Sequence, residues 1–106
     1  MASLEMTAPV FAALGDATRA SLAQRLAAGT AMSISRLAEG ASMSRQAITK
    51  HLRVLERAGV VRSERKGRET VYALDRSGVA EAQRALAEIS RHWDEALDRL
   101  RSHVEG

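Results

Sequence analysis

The chain has 106 residues, a formal net charge of +3, 45% hydrophobic and 3% aromatic residues, and no cysteine. That length holds one compact domain rather than two, and so few aromatics require a core of Leu, Val, Ile, Ala and Met, which favours packed helices. The lack of cysteine excludes disulfides, thiolate metal sites and thiol chemistry, and no stretch reaches the roughly 18 apolar residues of a bilayer span, so a cytoplasmic protein with no membrane attachment is expected.

Residues 1–7 read as a short lead without the basic-then-apolar order of an export signal. Pro9 then fits the first turn of a helix reaching about Leu14, where a missing N–H costs nothing, and Gly15 ends it. Asp16 is placed to accept the free N–H groups of a second helix over residues 16–28, whose apolar face is Leu22, Leu26 and the alanines between them and which Gly29 stops. Ser33 caps a short third helix with Ile34, Leu37 and Ala38 inward and Gly40 as its exit. A three-residue turn, 41–43, leads to Ser44 as the cap of a fourth helix. There Ile48, Leu52 and Leu55 form one buried stripe ending at Gly59, with Gln46, Lys50, Arg53 and Arg57 opposite.

From Val60 the period changes. Val60-Val61 and Val71-Tyr72-Ala73-Leu74 flank Arg62-Ser63-Glu64-Arg65-Lys66-Gly67-Arg68-Glu69, two β-prone runs around a polar glycine turn, which predicts a small hairpin or wing. Beyond Asp75, the residues Val79, Ala82, Leu86, Ile89, Trp93, Leu97, Leu100 and Val104 recur at alternating threes and fours, a continuous apolar seam on a last helix of about 27 residues, near 40 Å long. So long a helix cannot be buried against so small a domain. Trp93, at a seam position, reads as an interface or core anchor, while Asp94, Glu95 and Asp98 read as a solvated face partnering Arg91, Arg99 and Arg101.

Two short helices around a three-residue turn fit a helix-turn-helix unit, whose second helix enters the major groove of DNA and touches base edges with its first turns. Charge agrees with this: residues 44–68 contain eight Arg or Lys against Glu56 and Glu64, a local +6, so the remainder sums to −3. A one-sided basic surface is the footprint of a phosphate-binding protein. Arg45, Gln46 and Thr49 cannot all face a core that Ile48 and Leu52 already occupy. Gln can pair with adenine, Arg with guanine, and Thr can offer a hydroxyl or methyl, each good pair discriminating by about 1–3 kcal/mol. Ser44, Lys50, His51 and Arg53 suit phosphates, which orient a protein without reading sequence. Arg65, Lys66 and Arg68 surround Gly67 and form a basic tip able to reach the backbone or minor groove beside that helix. No nucleophile, acid–base pair or phosphate loop is recognisable, so no enzyme activity is expected.

The order Leu14-Gly15-Asp16-Ala17-Thr18-Arg19, Ile34-Ser35-Arg36-Leu37-Ala38, Ser44-Arg45-Gln46-Ala47-Ile48-Thr49-Lys50-His51-Leu52-Arg53-Val54-Leu55, Ala58-Gly59-Val60-Val61 and Tyr72-Ala73-Leu74 resembles the ArsR-like family of winged helix-turn-helix transcriptional repressors. The match runs without a gap over about residues 11–74. The resemblance implies a mainly α fold of five helices with a two-stranded wing, the helix-turn-helix at about 33–58, the wing at 60–74 and a dimerisation helix at 76–105. It also implies a homodimer joined through its first and last helices, with Val79, Leu86, Ile89, Trp93, Leu97 and Leu100 at the interface. The implied partner is double-stranded DNA carrying an imperfect palindrome, released by an effector that the residues do not identify. The family's contacting positions fall on Ser44, Arg45, Gln46, Thr49 and His51.

Several members of that family sense metals through ligands on the last helix. Here His92 and His103 lie about 16 Å apart along one helix, too far for one chain to clamp an ion with both, although two antiparallel copies could bring them together. The accompanying ligand positions hold Ser90 and Gly106. Counted from the wing, the family's ligand places fall on Arg76, Gly78, Ile89 and His92, of which only His92 could coordinate, and residues 35–39 lack the thiolate pair of other members. No metal site and no cofactor are therefore expected. Two alternatives use the same residues: a protein-interaction module offering the basic face to an acidic partner, and a metal-responsive repressor using the histidines of the last helix.

Overall fold

The first helix, α1 (Leu4–Leu14), begins earlier than its proline suggests. In the computed structural model, which describes residues 4–105, Pro9 lies inside α1 rather than in its first turn. The ring removes one hydrogen bond, to the carbonyl four residues back, with little more than a single turn before it. Tertiary packing outweighs that loss, because Thr7, Val10 and Ala13 are buried at three-residue spacing where α1 meets its neighbours. The first three residues of the expected lead, and Gly106, lie outside the described residues.

Side-chain acceptors then decide where the other helices start. The Asp16 carboxylate accepts the Arg19 N–H at 3.0 Å and opens α2 (Ala17–Ala28). Ser33 accepts from Arg36 at 3.1 Å and opens α3 (Ile34–Ala38), and Ser44 accepts from Ala47 at 3.1 Å and opens α4 (Arg45–Arg57). Each acceptor satisfies one donor that the first turn leaves free. Asp75 serves α5 (Arg76–Glu105) with one oxygen, which accepts from the Ser77 hydroxyl at 2.7 Å, the Ser77 amide at 3.1 Å and the Gly78 amide at 3.4 Å.

Both capping carboxyls titrate below the ordinary value of 3.8, Asp16 chiefly through the Arg19 N–H and Asp75 chiefly through the Ser77 hydroxyl. A depressed folded-state pKa contributes stability that is present above the unfolded value and lost as pH falls through the folded one. Denaturant unfolding should therefore show stability declining below about pH 4, and Asp75→Asn should make that decline shallower. An unchanged acid slope in the variant would remove Asp75 from the linkage.

The expected two-stranded wing is present, and a third, short strand extends its sheet. A two-residue strand, β1 (Met32–Ser33), joins β2 (Val61–Lys66) and β3 (Glu69–Leu74) in an antiparallel sheet of order β1-β3-β2, with Met32 opposite Tyr72 and Ser63 opposite Tyr72 on the other side. Two residues carry no readable period, so β1 is specified by its partner rather than by itself. The hairpin strands also continue through the polar segment to a two-residue turn at Gly67 and Arg68. Gly67 has φ +61° whereas every described non-glycine residue has negative φ, which is the pattern of a type II′ turn.

One core lies between these elements. Leu37, Leu52 and Leu55 are fully buried, surrounded by Leu22, Leu26, Ile48, Val60, Val61 and Tyr72. Arg25 ties α2 to the end of α3 by donating to the Leu37 carbonyl at 2.9 Å, and Arg19 ties α2 to the end of α1 through the Ala13 carbonyl at 2.7 Å. The start of α5 presses on the turn after α4: a Cβ added to Gly78 would stand 1.8 Å from the Gly59 carbonyl oxygen. From there α5 runs for 30 residues, about 45 Å. Its last buried positions are Ala82 and Ala85.

Candidate nucleic-acid interface

Helix α4 is divided lengthwise. Ile48, Leu52 and Leu55 are buried, and Arg45, Gln46, Lys50, Arg53 and Arg57 are exposed. At 3.6 residues per turn the exposed group, with half-buried Thr49, spans an arc of about 140°. Arg45, Gln46, Thr49, Lys50 and Arg53 line one shallow concavity that ends against Ile34 at the start of α3. Five of the sequence-predicted contact residues are thereby brought together on the outer side of α4, beside the border with α3.

Ser44 sits at the N-terminal edge of this face. Its oxygen is engaged by the Ala47 amide, which leaves the hydroxyl proton available to a phosphate. Thr49 is more constrained, because its hydroxyl donates to the Arg45 carbonyl at 2.8 Å. What Thr49 can present is its methyl group and a lone pair. The back-bond also fixes the rotamer, so the methyl is held in place rather than free to turn.

His51 is not with the others. It falls about 40° from Leu55 around the helix, half-buried, with Nδ1 3.8 Å from the Asp16 carboxylate and 3.5 Å from an Arg19 nitrogen. The imidazole thus faces the start of α2. A helical wheel over residues 45–57 carries this signal, since position 51 lies on the side of the buried stripe.

In the wing, alternation sets Val61, Ser63 and Arg65 on the face turned toward α4, together with Tyr72, and sets Arg62, Glu64 and Lys66 on the other. Arg65 Nε donates to the Gly67 carbonyl at 3.2 Å, which folds that side chain back over the turn. Lys66 and Arg68 are exposed. Among the described residues, none of Arg45, Lys50, Arg53, Arg65, Lys66 and Arg68 forms an ion pair. Their charge is available to an external anion.

Two residues of this region carry no signal in the sequence. Glu56, at the end of α4, accepts from the Ser63 amide and hydroxyl and so joins the helix to the wing. Gly78 allows α5 to cross Gly59. On α5, Leu86, Ile89, Trp93, Leu97 and Leu100 are exposed, Trp93 by 65%, while Val79 is half-buried within the chain. His92 and His103 are exposed on the same helix, and among the described residues no group of three or more His, Cys, Asp or Glu is gathered to hold a metal ion. No described helix is long and apolar enough to cross a membrane.

Comparison with known proteins bears on this geometry. Residues 14–64 match the family described as Helix-turn-helix domain. The chain is 36% identical over 85 residues to the HTH-type transcriptional regulator Rv2034 of Mycobacterium tuberculosis, covering 80% of this chain and 76% of that one. It is similar in structure to an ArsR-like transcriptional regulator from Rhodococcus sp. RHA1, with a TM-score of 0.79, 37% identity and 92% of each chain covered. It is also similar to the homodimeric winged helix-turn-helix DNA-binding domain from Mycobacterium bovis, with a TM-score of 0.65, 26% identity, and 87% of this chain and 82% of that one covered.

Proposed function

This chain belongs to the ArsR-like family of winged helix-turn-helix transcriptional regulators and is a DNA-binding regulator, and from that premise we propose that it acts in the cytoplasm as a homodimeric, non-enzymatic repressor of a palindromic operator. The observation that carries the reading is the row of Arg45, Gln46, Thr49, Lys50 and Arg53 along the exposed side of a helix whose other side is the core. Arg45 and Gln46 are the base readers. Ser44, Lys50 and Arg53 hold phosphates on either side, and the tip of the wing at Arg65, Lys66 and Arg68 holds the backbone or minor groove next to them. His51 supports the set from behind, through α2. Dimerisation through the exposed α5 seam doubles the reading head, and two-fold symmetry would set the two copies of α4 about 34–36 Å apart, one per successive major groove.

Competition binding tests the division of labour. Gln46→Ala and Arg45→Ala should each cost about 1–3 kcal/mol on the operator and little on scrambled duplex, flattening the preference. Lys66→Ala should weaken both duplexes alike and lower the slope of log affinity against log salt by about one. Equal losses on both duplexes for all three changes would refute the assignment. An absence of operator preference in the unaltered protein would favour an acidic protein partner for the same face.

A further inference from the structure

The Glu56 carboxylate is out of place for its neighbourhood. It stands among eight cations between residues 44 and 68, where its charge opposes the attraction of phosphate. Its contacts are specific. One oxygen accepts both the Ser63 hydroxyl at 2.6 Å and the Ser63 amide at 3.1 Å. Ser63 lies on β2, the edge of the sheet, whose outward amides have no strand partner. Among the described residues these are the only side-chain hydrogen bonds between α4 and the hairpin. The backbone turn makes a further connection, in which the Gly59 amide donates to the Glu56 carbonyl at 3.0 Å and the Val60 amide to the Leu55 carbonyl at 2.9 Å, with Val60 and Val61 packed below. That turn anchors the root of the hairpin. β3 is seated in the core through Tyr72 and paired to β1, whereas the exposed outer stretch of β2, from Arg62 to the tip, is hydrogen-bonded to α4 only through Glu56 among the described residues.

We propose that Glu56 is a positioning residue whose paired hydrogen bonds to Ser63 set the angle between α4 and the wing, so that helix and wing engage one duplex together. The proposal rests on the DNA-binding reading above. A wing free to swing would have to be ordered at the moment of binding, and its phosphate contacts would be offset by that cost. A wing already held at the correct angle makes them at once.

Charge and geometry can be separated with isocharged variants. Glu56→Gln and Glu56→Ala remove the same negative charge, but glutamine keeps an acceptor directed at Ser63 and alanine does not. If charge were the whole effect, both would bind the operator more tightly than the parent and equally. The expected result is that Glu56→Ala binds about tenfold more weakly than Glu56→Gln, the worth of one hydrogen bond to a polar acceptor. The wing supplies the second arm. Lys66→Ala/Arg68→Ala should weaken the Glu56→Gln protein and add no further loss to the Glu56→Ala protein, a coupling that a purely structural role would not produce. Circular dichroism and sedimentation verify that each variant is folded and associated as the parent is. Should Glu56→Ala fail to fold, Ser63→Ala, which removes the 2.6 Å bond and keeps the charge, serves in its place with the same coupling expected. Equal affinities for Gln and Ala, or an undiminished wing effect in the uncoupled background, overturn the positioning role and leave DNA binding intact. Failure of the unaltered protein to prefer its operator overturns the DNA-binding reading itself.

Discussion

Gly78→Ala should lower the free energy of unfolding by about 3 kcal/mol and the melting temperature by about 15 °C. The sign is informative because local propensity predicts the opposite. Gly78 lies within α5, and alanine in a helix interior is favoured over glycine by roughly 0.5–1 kcal/mol. Against that gain stands a contact of 1.8 Å between the added Cβ and the Gly59 carbonyl oxygen, with the carbonyl carbon at 2.9 Å. No rotamer relieves it, since a Cβ has none, and Gly59 is itself held at φ +82° in the turn that carries the chain from α4 into the wing. Relief therefore requires α5 to move off the turn, pulling on Asp75, whose amide donates to the Val60 carbonyl at 2.8 Å. Gly40→Ala is the appropriate comparison: Gly40 has φ +72° but open space around it, so only the left-handed backbone resists, at about 1–2 kcal/mol. Thermal unfolding of the two variants side by side decides the matter. A Gly78→Ala protein as stable as the parent would mean that α5 does not cross the turn at this distance.

The second large effect belongs to the α5 seam. Leu97→Asp/Leu100→Asp should yield a monomer and reduce operator affinity at least about a hundredfold, because half of the recognition surface is lost with the partner and interface anchors of this kind carry about 2 kcal/mol or more each. The substituted side chains are 42% and 59% exposed within one chain, so they contribute little to its own core. In the proposed dimer the partner's seam covers them. Folding of residues 7–85 should survive, as the last buried seam positions are Ala82 and Ala85. The rest of α5 would lose its support, since an isolated stretch of about 20 residues is only marginally helical in water. Sedimentation reports the mass, duplex titration the affinity, and the single Trp93 the environment of the seam, its emission moving to the red as water reaches it. A variant that stays dimeric would place the contact elsewhere, and one that is monomeric yet binds the operator undiminished would sever the link between association and recognition.

The parts of the fold legible in the sequence are those whose causes are local. Asp16, Ser33 and Ser44 are helix caps because a short oxygen-bearing side chain finds an amide three residues ahead, which spacing alone reveals. The stripe of Ile48, Leu52 and Leu55 fixes the inner side of α4, and with it the outer side that gathers Arg45, Gln46, Thr49, Lys50 and Arg53. What was not legible depends on partners far along the chain. Pro9 reads as a helix start, and only the burial of Thr7, Val10 and Ala13 against other elements carries the helix back through it. β1 is two residues long and exists because β3 lies beside it. Gly78 looks like a weak point in a helix until the Gly59 carbonyl is placed next to it. Glu56 looks like one more surface charge, and its role depends on where the hairpin lies. His51 is the instructive intermediate case. Its chemistry suits phosphate, while its angular position on α4 turns it toward Asp16 and Arg19 at the start of α2, a placement that periodicity carries and residue type does not.

Helix α5 starts two residues after β3 ends and continues unbroken for 30 residues. In a dimer closed along that seam, each reading domain would hang from the projecting part of this rod beyond Ala85, about 30 Å long, and a tilt of about 10° at the fulcrum would displace the far end by about 5 Å. That is close to half the width of a major groove, about 12 Å. In the proposed dimer the separation of the two heads would thus be gauged at the twofold axis, so whatever shifted the crossing of the two rods would detune the protein from an operator without touching a single side chain proposed to read a base.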